Sequence, residues 1–153
     1  MSTSRIPAVI AELLDRFAAA ATLQGVRIVD GPPVTGDPLR EAVYVGYDGD
    51  PDGEGTGAEF TQEWASIGQR ARGETFSVTC AVVVWRGSTK VAPVRVRAFE
   101  VLAAVEDLVR ADPSLGQPPP TVAAFASGSL VQSQRASGME CRIPFQIQCQ
   151  TRI

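Results

Sequence analysis

Hydrophobic positions recur at two spacings along this chain of 153 residues, and each spacing predicts a different element. Apolar residues from Ile6 to Phe17 repeat at helical spacing, with Ser4 before them as a capping residue and Gly25 after them as a stop. A second apolar stripe predicts a helix over residues 89–111. Asp112-Pro113 ends that helix, because the residue before a proline disfavours the helical conformation.

Strict alternation of apolar and polar residues predicts the strands. The clearest strand covers residues 75–85, and "RARGE" at 70–74 before it is typical of a turn. We predict further strands at residues 26–30, 41–47, 60–68, 121–135 and 139–152, with a turn-rich connector at 31–38. Pro144 lies on the polar side of the last strand and indicates a sheet edge or a bulge there.

The order of the elements is helix, several strands, helix, two strands, with hairpin-like connections. This order predicts an α+β fold, in which two main helices pack on one face of a mainly antiparallel sheet. The length favours one domain over residues 1–153, with an acidic loop at about 48–59.

The composition excludes several classes of protein. A net charge of −3 argues against a dedicated nucleic-acid binder, and no apolar run is long enough for a membrane span or a signal peptide. The chain has no histidine, which excludes Ser-His-Asp and Cys-His catalysis. Cys80, Cys141 and Cys149 lie on apolar strand faces, so we expect buried free thiols. With no catalytic constellation in view, we expect neither an enzyme nor a cofactor.

The acidic loop "DGDPDGEGTGAE" matches the spacing of an EF-hand calcium loop. Asp48, Asp50 and Asp52 occupy its first three ligand positions, and Glu59 occupies the last. The flanking segments read as strands, whereas an EF-hand needs helices, and Gly55 replaces the usual apolar residue. We interpret the segment as a solvated loop without a metal ion, and a calcium-binding module remains the alternative from a different class.

Three segments carry a resemblance to a known family: "VYVGYDGD", "FEVLAAVEDLVRADPSLG" and the closing "IPFQIQCQTRI". In their style and order, along essentially the whole chain, they resemble the tail terminator (tail completion) proteins of long-tailed bacteriophages of actinobacteria. None of the three is a catalytic signature. The resemblance carries over no individual functional residue.

The resemblance implies a virion structural protein, made in the host cytoplasm, that forms a ring, commonly a hexamer. The ring lies at the head-proximal end of the tail tube, where it ends tube polymerisation and provides the joint to the head connector. Its implied partners are itself, the tail tube protein and the connector, with DNA passing through the lumen without sequence-specific binding and no membrane. Another head-tail adaptor or minor tail subunit is the alternative.

Uncharged glutamines suggest where such a subunit meets a neighbour or the lumen. Gln146, Gln148 and Gln150 share one face of the last strand. We hypothesise that this face, together with Gln132 and Gln134 of the strand before it, forms the contact. A solvated sheet face explains the same pattern. Asp48, Asp50 and Asp52 belong to a second hypothesis, in which the loop repels DNA phosphate or docks on a partner.

Overall fold

The computed structural model describes residues 2–34, 39–68 and 70–153, apart from the side chain of Arg135. Two helices and seven strands form a mixed, mostly antiparallel α+β fold, as predicted. The elements are α1 (Ile6–Ala19), a short 3-10 turn (Ala21–Leu23), β1 (Arg27–Asp30), β2 (Glu41–Val45), β3 (Ala58–Trp64), β4 (Arg72–Arg86), α2 (Val91–Ala111), β5 (Val122–Gly128), β6 (Val131–Arg135) and β7 (Gly138–Arg152).

Two long strands, β4 and β7, form the centre of the sheet and pair antiparallel along their whole length, from Gly73–Arg152 to Arg86–Met139. The outer side of β4 is shared by β2 and β3, and the outer side of β7 is shared by β5 and β6. β1 pairs with β2 in parallel, so that one connection is not the expected hairpin. Residues 35–38 of the predicted connector lie outside the described part of the chain.

The predicted apolar faces form the core between the helices and one face of the sheet. Val94, Ala98, Val101, Val105 and Val109 of α2 are all buried against that face. The facing strand residues include Phe76 and Phe145, and Val9, Leu13 and Phe17 of α1 close the core. Removing one such aromatic ring costs about 3–5 kcal/mol of stability, because a cavity remains.

Both ends of α1 are held by polar contacts. Ser4 Oγ accepts the amide hydrogen of Ile6 at 3.0 Å, but Ser4 is not the predicted cap, because α1 begins at Ile6 and its N-cap residue is Arg5, which makes no side-chain cap bond. Arg16 near the other end bonds Asp112 beyond α2 at 2.7 Å. The helix ends at Ala19, short of the predicted stop, because Ala20 is extended (φ −74°, ψ 126°) and a 3-10 turn follows.

The predicted turn at residues 70–74 is partly wrong. β4 already begins at Arg72, whose amide and carbonyl both bond Ile153, so the pairing with the end of the chain extends the strand. No local sequence signal announces this pairing.

The long strand predicted at residues 121–135 is also wrong, because it divides into β5 and β6 at Ser129 and Leu130. The break lies beside Pro144, which has no amide hydrogen to offer to the neighbouring strand and accepts only the Ser129 amide, at 3.0 Å. Pro144 itself lies within the central strand β7, so the predicted edge is wrong and the irregularity falls on its neighbour. Among the described residues, no helix is long and apolar enough to cross a membrane.

Candidate interaction surface

The face of the sheet opposite the helices is open over β3, β4, β7 and β5, and its centre is polar but uncharged. Threonine and serine side chains of β4 lie directly opposite glutamines of β7, in the pairs Thr75–Gln150, Ser77–Gln148 and Thr79–Gln146. Thr79 and Gln146 also bond through their side chains, at 3.2–3.3 Å. Short hydroxyl and amide side chains form a flat surface that hydrogen-bonds without the cost of burying a charge.

The structure brings three of the five predicted glutamines together and separates the other two. Gln132 pairs with Cys141 and Gln134 with Met139, so both lie on the face that carries the helices. Gln132 accepts a hydrogen bond from Arg95 of α2 at 2.9 Å. A single surface of five glutamines is therefore wrong. The prediction assumed one unbroken strand, in which apolar and polar residues alternate between the two faces. Because the strand breaks between β5 and β6, alternation does not determine which face of the sheet the glutamines of β6 occupy. An interface role for Gln146, Gln148 and Gln150 stays a prediction.

The acidic loop folds back onto the open face beside this polar surface. Arg142 of β7 donates a hydrogen bond to the carbonyl of Asp48 at 2.9 Å, and its guanidinium lies 3.9 Å from the Asp50 carboxylate. Gly49 has positive φ (77°), and a Cβ there would come within 3.3 Å of Ala81 and 2.9 Å of Arg142. A side chain at position 49 would push the loop off the sheet, so glycine and Arg142 together hold it there.

Two of the three aspartates of the loop turn their carboxylates inward on the loop's own backbone. Asp48 accepts the amide hydrogen of Asp50 at 2.9 Å, and Asp50 accepts that of Asp52 at 3.0 Å. The loop connects β2 to β3, so its flanks are strands as expected. Within residues 2–34, 39–68 and 70–153, no three Asp, Glu, Cys or His side chains are grouped to hold a metal ion.

A cleft of about 520 Å³ separates the loop from the end of β5. Asp48, Glu54 and Glu59 line one wall, and Thr79 and Gln146 form part of the floor. The wall repels anions, including nucleic-acid phosphate, whereas the floor offers neutral hydrogen-bonding groups. This cleft suits a polar or basic partner better than an acidic one.

A small apolar cluster lies at the other end of the open face, next to the loop. It consists of Ala42, Tyr44, Tyr47, Ala81 and Val83, and the two tyrosine rings meet edge to face with centroids 5.2 Å apart. Burial raises the pKa of both tyrosines above the ordinary value, so both stay neutral at physiological pH. The open face thus divides into an apolar end and a polar end.

The cysteines are buried, as predicted. Cys80, Cys141 and Cys149 are each 0% exposed on the helix side of the sheet. Burial raises the pKa of the Cys80 and Cys149 thiols to about 12 and also raises that of Cys141. These thiols therefore stay protonated and unreactive at neutral pH.

Two bonded carboxylates, one partly buried and one fully buried, were missed by sequence reasoning. Glu41 of β2 receives two hydrogen bonds from Arg97 of α2, at 2.8 and 2.9 Å, and one from Arg86 at 2.6 Å. The hydrogen bond from Arg97, supported by Arg86, outweighs burial and lowers the pKa of Glu41 to about 2. This pair fastens α2 to the sheet.

Glu74 of β4 is 1% exposed and is bound entirely by uncharged donors. It accepts hydrogen bonds from the Ser4 hydroxyl (2.9 Å), the Arg5 amide (3.1 Å) and the Gln62 side chain (2.6 Å). These bonds join the start of α1 to the β3–β4 hairpin. In the sequence, Glu74 stands at a position that would continue the apolar face of β4. The turn predicted at residues 70–74 excluded this position from the strand, so the glutamate was not recognised as buried.

No family model and no curated protein matches the chain. Among solved structures, its fold is similar to a chain of the virion of a native gene transfer agent particle. The TM-score is 0.66 and the identity 17%, and the alignment covers 99% of this chain and 100% of that one. The chain thus shares its fold, over nearly its whole length, with a chain of that virion.

Proposed function

We propose that this chain is a structural subunit of a virion, and that it acts as a tail terminator. In this role, copies of the chain form a ring, commonly a hexamer, at the head-proximal end of the tail tube. The ring ends polymerisation of the tube protein and provides the joint to the head connector, with DNA passing through it. The chain catalyses no reaction and uses no cofactor.

The observation that carries the proposal is the likeness of fold to the gene transfer agent virion chain. The alignment covers 99% of this chain and 100% of the other, so the likeness concerns the two whole chains and not a shared fragment. At 17% identity the likeness supports a shared fold only. The proposed position in the tail rests on the sequence resemblance to tail terminators.

The open face is consistent with a structural subunit that functions through its shape and its contacts with other proteins. It presents hydroxyl and amide groups in straight rows across neighbouring strands. A rigid sheet with neutral rows at its centre can meet a protein neighbour or line a conduit without trapping DNA, because these rows of hydroxyl and amide groups offer no cation to phosphate, and the exposed Arg152 lies only at the end of β7. The adjacent acidic wall, with Asp48, Glu54 and Glu59, adds repulsion.

The test is a phage that encodes this chain, with its gene interrupted, examined by electron microscopy. Loss of a terminator leaves tubes of variable length, because nothing stops polymerisation, and few of them join filled heads. Addition of the purified chain to such tubes, at the moment their growth reaches the normal length, restores uniform tails. Uniform tails and normal joining in the interrupted phage contradict the proposal.

The same experiment identifies the alternative, another head-tail adaptor. Without an adaptor, tails keep their normal length but remain separate from heads. The length distribution of free tails therefore distinguishes the two roles.

A further inference from the structure

Two strand edges of the sheet, β3 and β5, lie at the same level on opposite sides of the central pair. The register continues straight across four strands, from Glu59 to Ser77, Gln148 and Ala124. A second row runs in the same way through Thr61, Thr75, Gln150 and Val122. Each of these edge strands has seven residues.

The directions of the strands also match. β3, β4, β7 and β5 are antiparallel at every step, so β3 and β5 run in opposite directions. When two copies stand side by side in the same orientation, β3 of one meets β5 of the next as another antiparallel neighbour. Such a contact joins different surfaces, and repeating it with a rotation closes a ring.

The β3 edge exposes two large aromatic side chains. Phe60 is 56% exposed and Trp64 is 71% exposed, and both lie on the helix side of the sheet, where Phe60 pairs with the buried Phe76. Exposed aromatics of this size at a sheet edge are typical of an interface, because burying them contributes strongly to association.

The β5 edge has a complementary groove on the same side of the sheet. The groove measures about 340 Å³ and lies between α2 and β5; apolar residues such as Val109 and Phe125 line most of it, together with Glu106 and Arg110, which pair with each other at 2.6 Å. Residues 122–134 contain no charged side chain, so β5 has none and β6 has only Arg135 at its end, although free edges are usually protected by charge. An uncharged β5 edge beside a mainly apolar groove is suited to being covered by a protein neighbour.

We propose that the β3 edge of one copy packs against the β5 edge of the next copy, with Phe60 and Trp64 seated in the groove between α2 and β5. The inference rests on the proposed function, since it identifies the contact between neighbouring subunits of the ring. The Ala123 amide already bonds the Pro113 carbonyl at 2.7 Å, so backbone pairing between copies begins beyond Ala123 and the groove receives the aromatic rings. The open faces of successive copies then form one continuous polar surface.

The first test replaces the aromatic side chains. Phe60→Ser with Trp64→Ser weakens self-association of the purified chain by at least about tenfold, measured by analytical ultracentrifugation, because the groove loses its occupants. Ile67→Ser is the matched control, since Ile67 is fully exposed on the same hairpin but outside β3, and it leaves association unchanged. Circular dichroism verifies that each variant is folded. Equal association of the double variant and the control overturns the proposal.

The second test joins the two edges and leaves the aromatics in place. Thr61→Cys is combined with Val122→Cys or with Ala124→Cys, both in the purified chain and in particles, and treated with a short bis-maleimide. The native cysteines are buried and do not react in the folded protein. At least one double variant yields a ladder of covalent multimers, whereas each single variant stays monomeric.

The outcomes separate this contact from the proposed function. Absence of a ladder from both double variants in both preparations overturns the contact, and so does a covalent dimer of the Thr61→Cys single variant, which indicates β3 against β3. A ladder in the purified chain, together with absence of the chain itself from particles, upholds the contact and contradicts the virion role. Rings on tail tubes without any cross-link contradict the contact alone.

Discussion

Arg142 donates a hydrogen bond of 2.9 Å to the backbone carbonyl of Asp48, across 94 positions of sequence. This bond holds the acidic loop against the open face of the sheet, where Gly49 packs on Ala81 and Val83. A loop whose composition predicts free solvation is therefore fixed by one partly buried cation from the last strand.

Replacing Arg142 with alanine releases the loop without unfolding the sheet. A charged hydrogen bond contributes about 1.5–3 kcal/mol, so we expect amide exchange within residues 49–55 to accelerate about tenfold or more. NMR hydrogen exchange measures this change. Arg95→Ala is the control, because Arg95 bonds Gln132 on the opposite face. Unchanged exchange in the loop contradicts the role of Arg142.

The ion pair between Glu41 and Arg97 makes stability depend on pH. Folding lowers the pKa of Glu41 to about 2, so its contribution is fully present above the pKa of the unfolded chain, near 4.5. It is lost as pH falls from about 5 towards 2. We expect Glu41→Gln to lower the free energy of unfolding by about 1–3 kcal/mol at pH 7. Urea denaturation measures the difference, which shrinks towards pH 2.

Glu100→Gln is the matched control for this effect. Glu100 also contacts Arg97, at 3.2 Å, but its side chain is 59% exposed. An exposed pair contributes about 0–1 kcal/mol, so the control changes stability little. A difference between wild type and Glu41→Gln that does not vary with pH contradicts the assignment.

A charge introduced at Gln148 tests the open face. Gln148 is exposed in the centre of the polar surface, so Gln148→Glu leaves folding within about 0.5 kcal/mol of wild type. We expect rings on tail tubes, counted by electron microscopy, to fall about tenfold, because the charge loses its hydration in the contact. Gln134→Glu on the helix side has no such effect. Normal assembly of the Gln148 variant refutes an interface role for this face.

Neutralising the acidic loop tests its charge apart from its shape. Substitution of Asp48, Asp50 and Asp52 by asparagine keeps acceptors for the amides of Asp50 and Asp52 while removing three negative charges. If the loop repels DNA, we expect the variant to bind duplex DNA more tightly, and particles that carry it to eject DNA more slowly. Gel-shift and ejection assays measure these effects. Unaltered DNA binding, assembly and infectivity leave the loop without this role.

Calorimetric titration with calcium addresses the remaining class of function. The carboxylates of Asp48 and Asp50 already bond the loop's own amides, so we expect no binding heat at calcium concentrations up to about 1 mM. Saturable heat that the triple asparagine variant abolishes contradicts this expectation and supports a calcium site.

Local patterns predicted most of the fold. The stripe from Val91 to Val109 and the alternation around Phe76 and Phe145 report burial directly, because each period leaves one face apolar. The elements that were misjudged, at Arg72 and at Ser129, depend on partners far away along the chain. Ile153 extends β4, and Pro144 interrupts the strand beside it.

The sequence by itself determined which face of each long element is buried, that the cysteines are inert, and that the loop at 48–59 is acidic. These properties follow from the order of residue types within one element. Only the tertiary structure decided which glutamines share a surface, what holds the loop, and that β3 and β5 form two matching edges. Those relationships depend on the register between strands distant in sequence, and a shift of one residue would reverse every side chain.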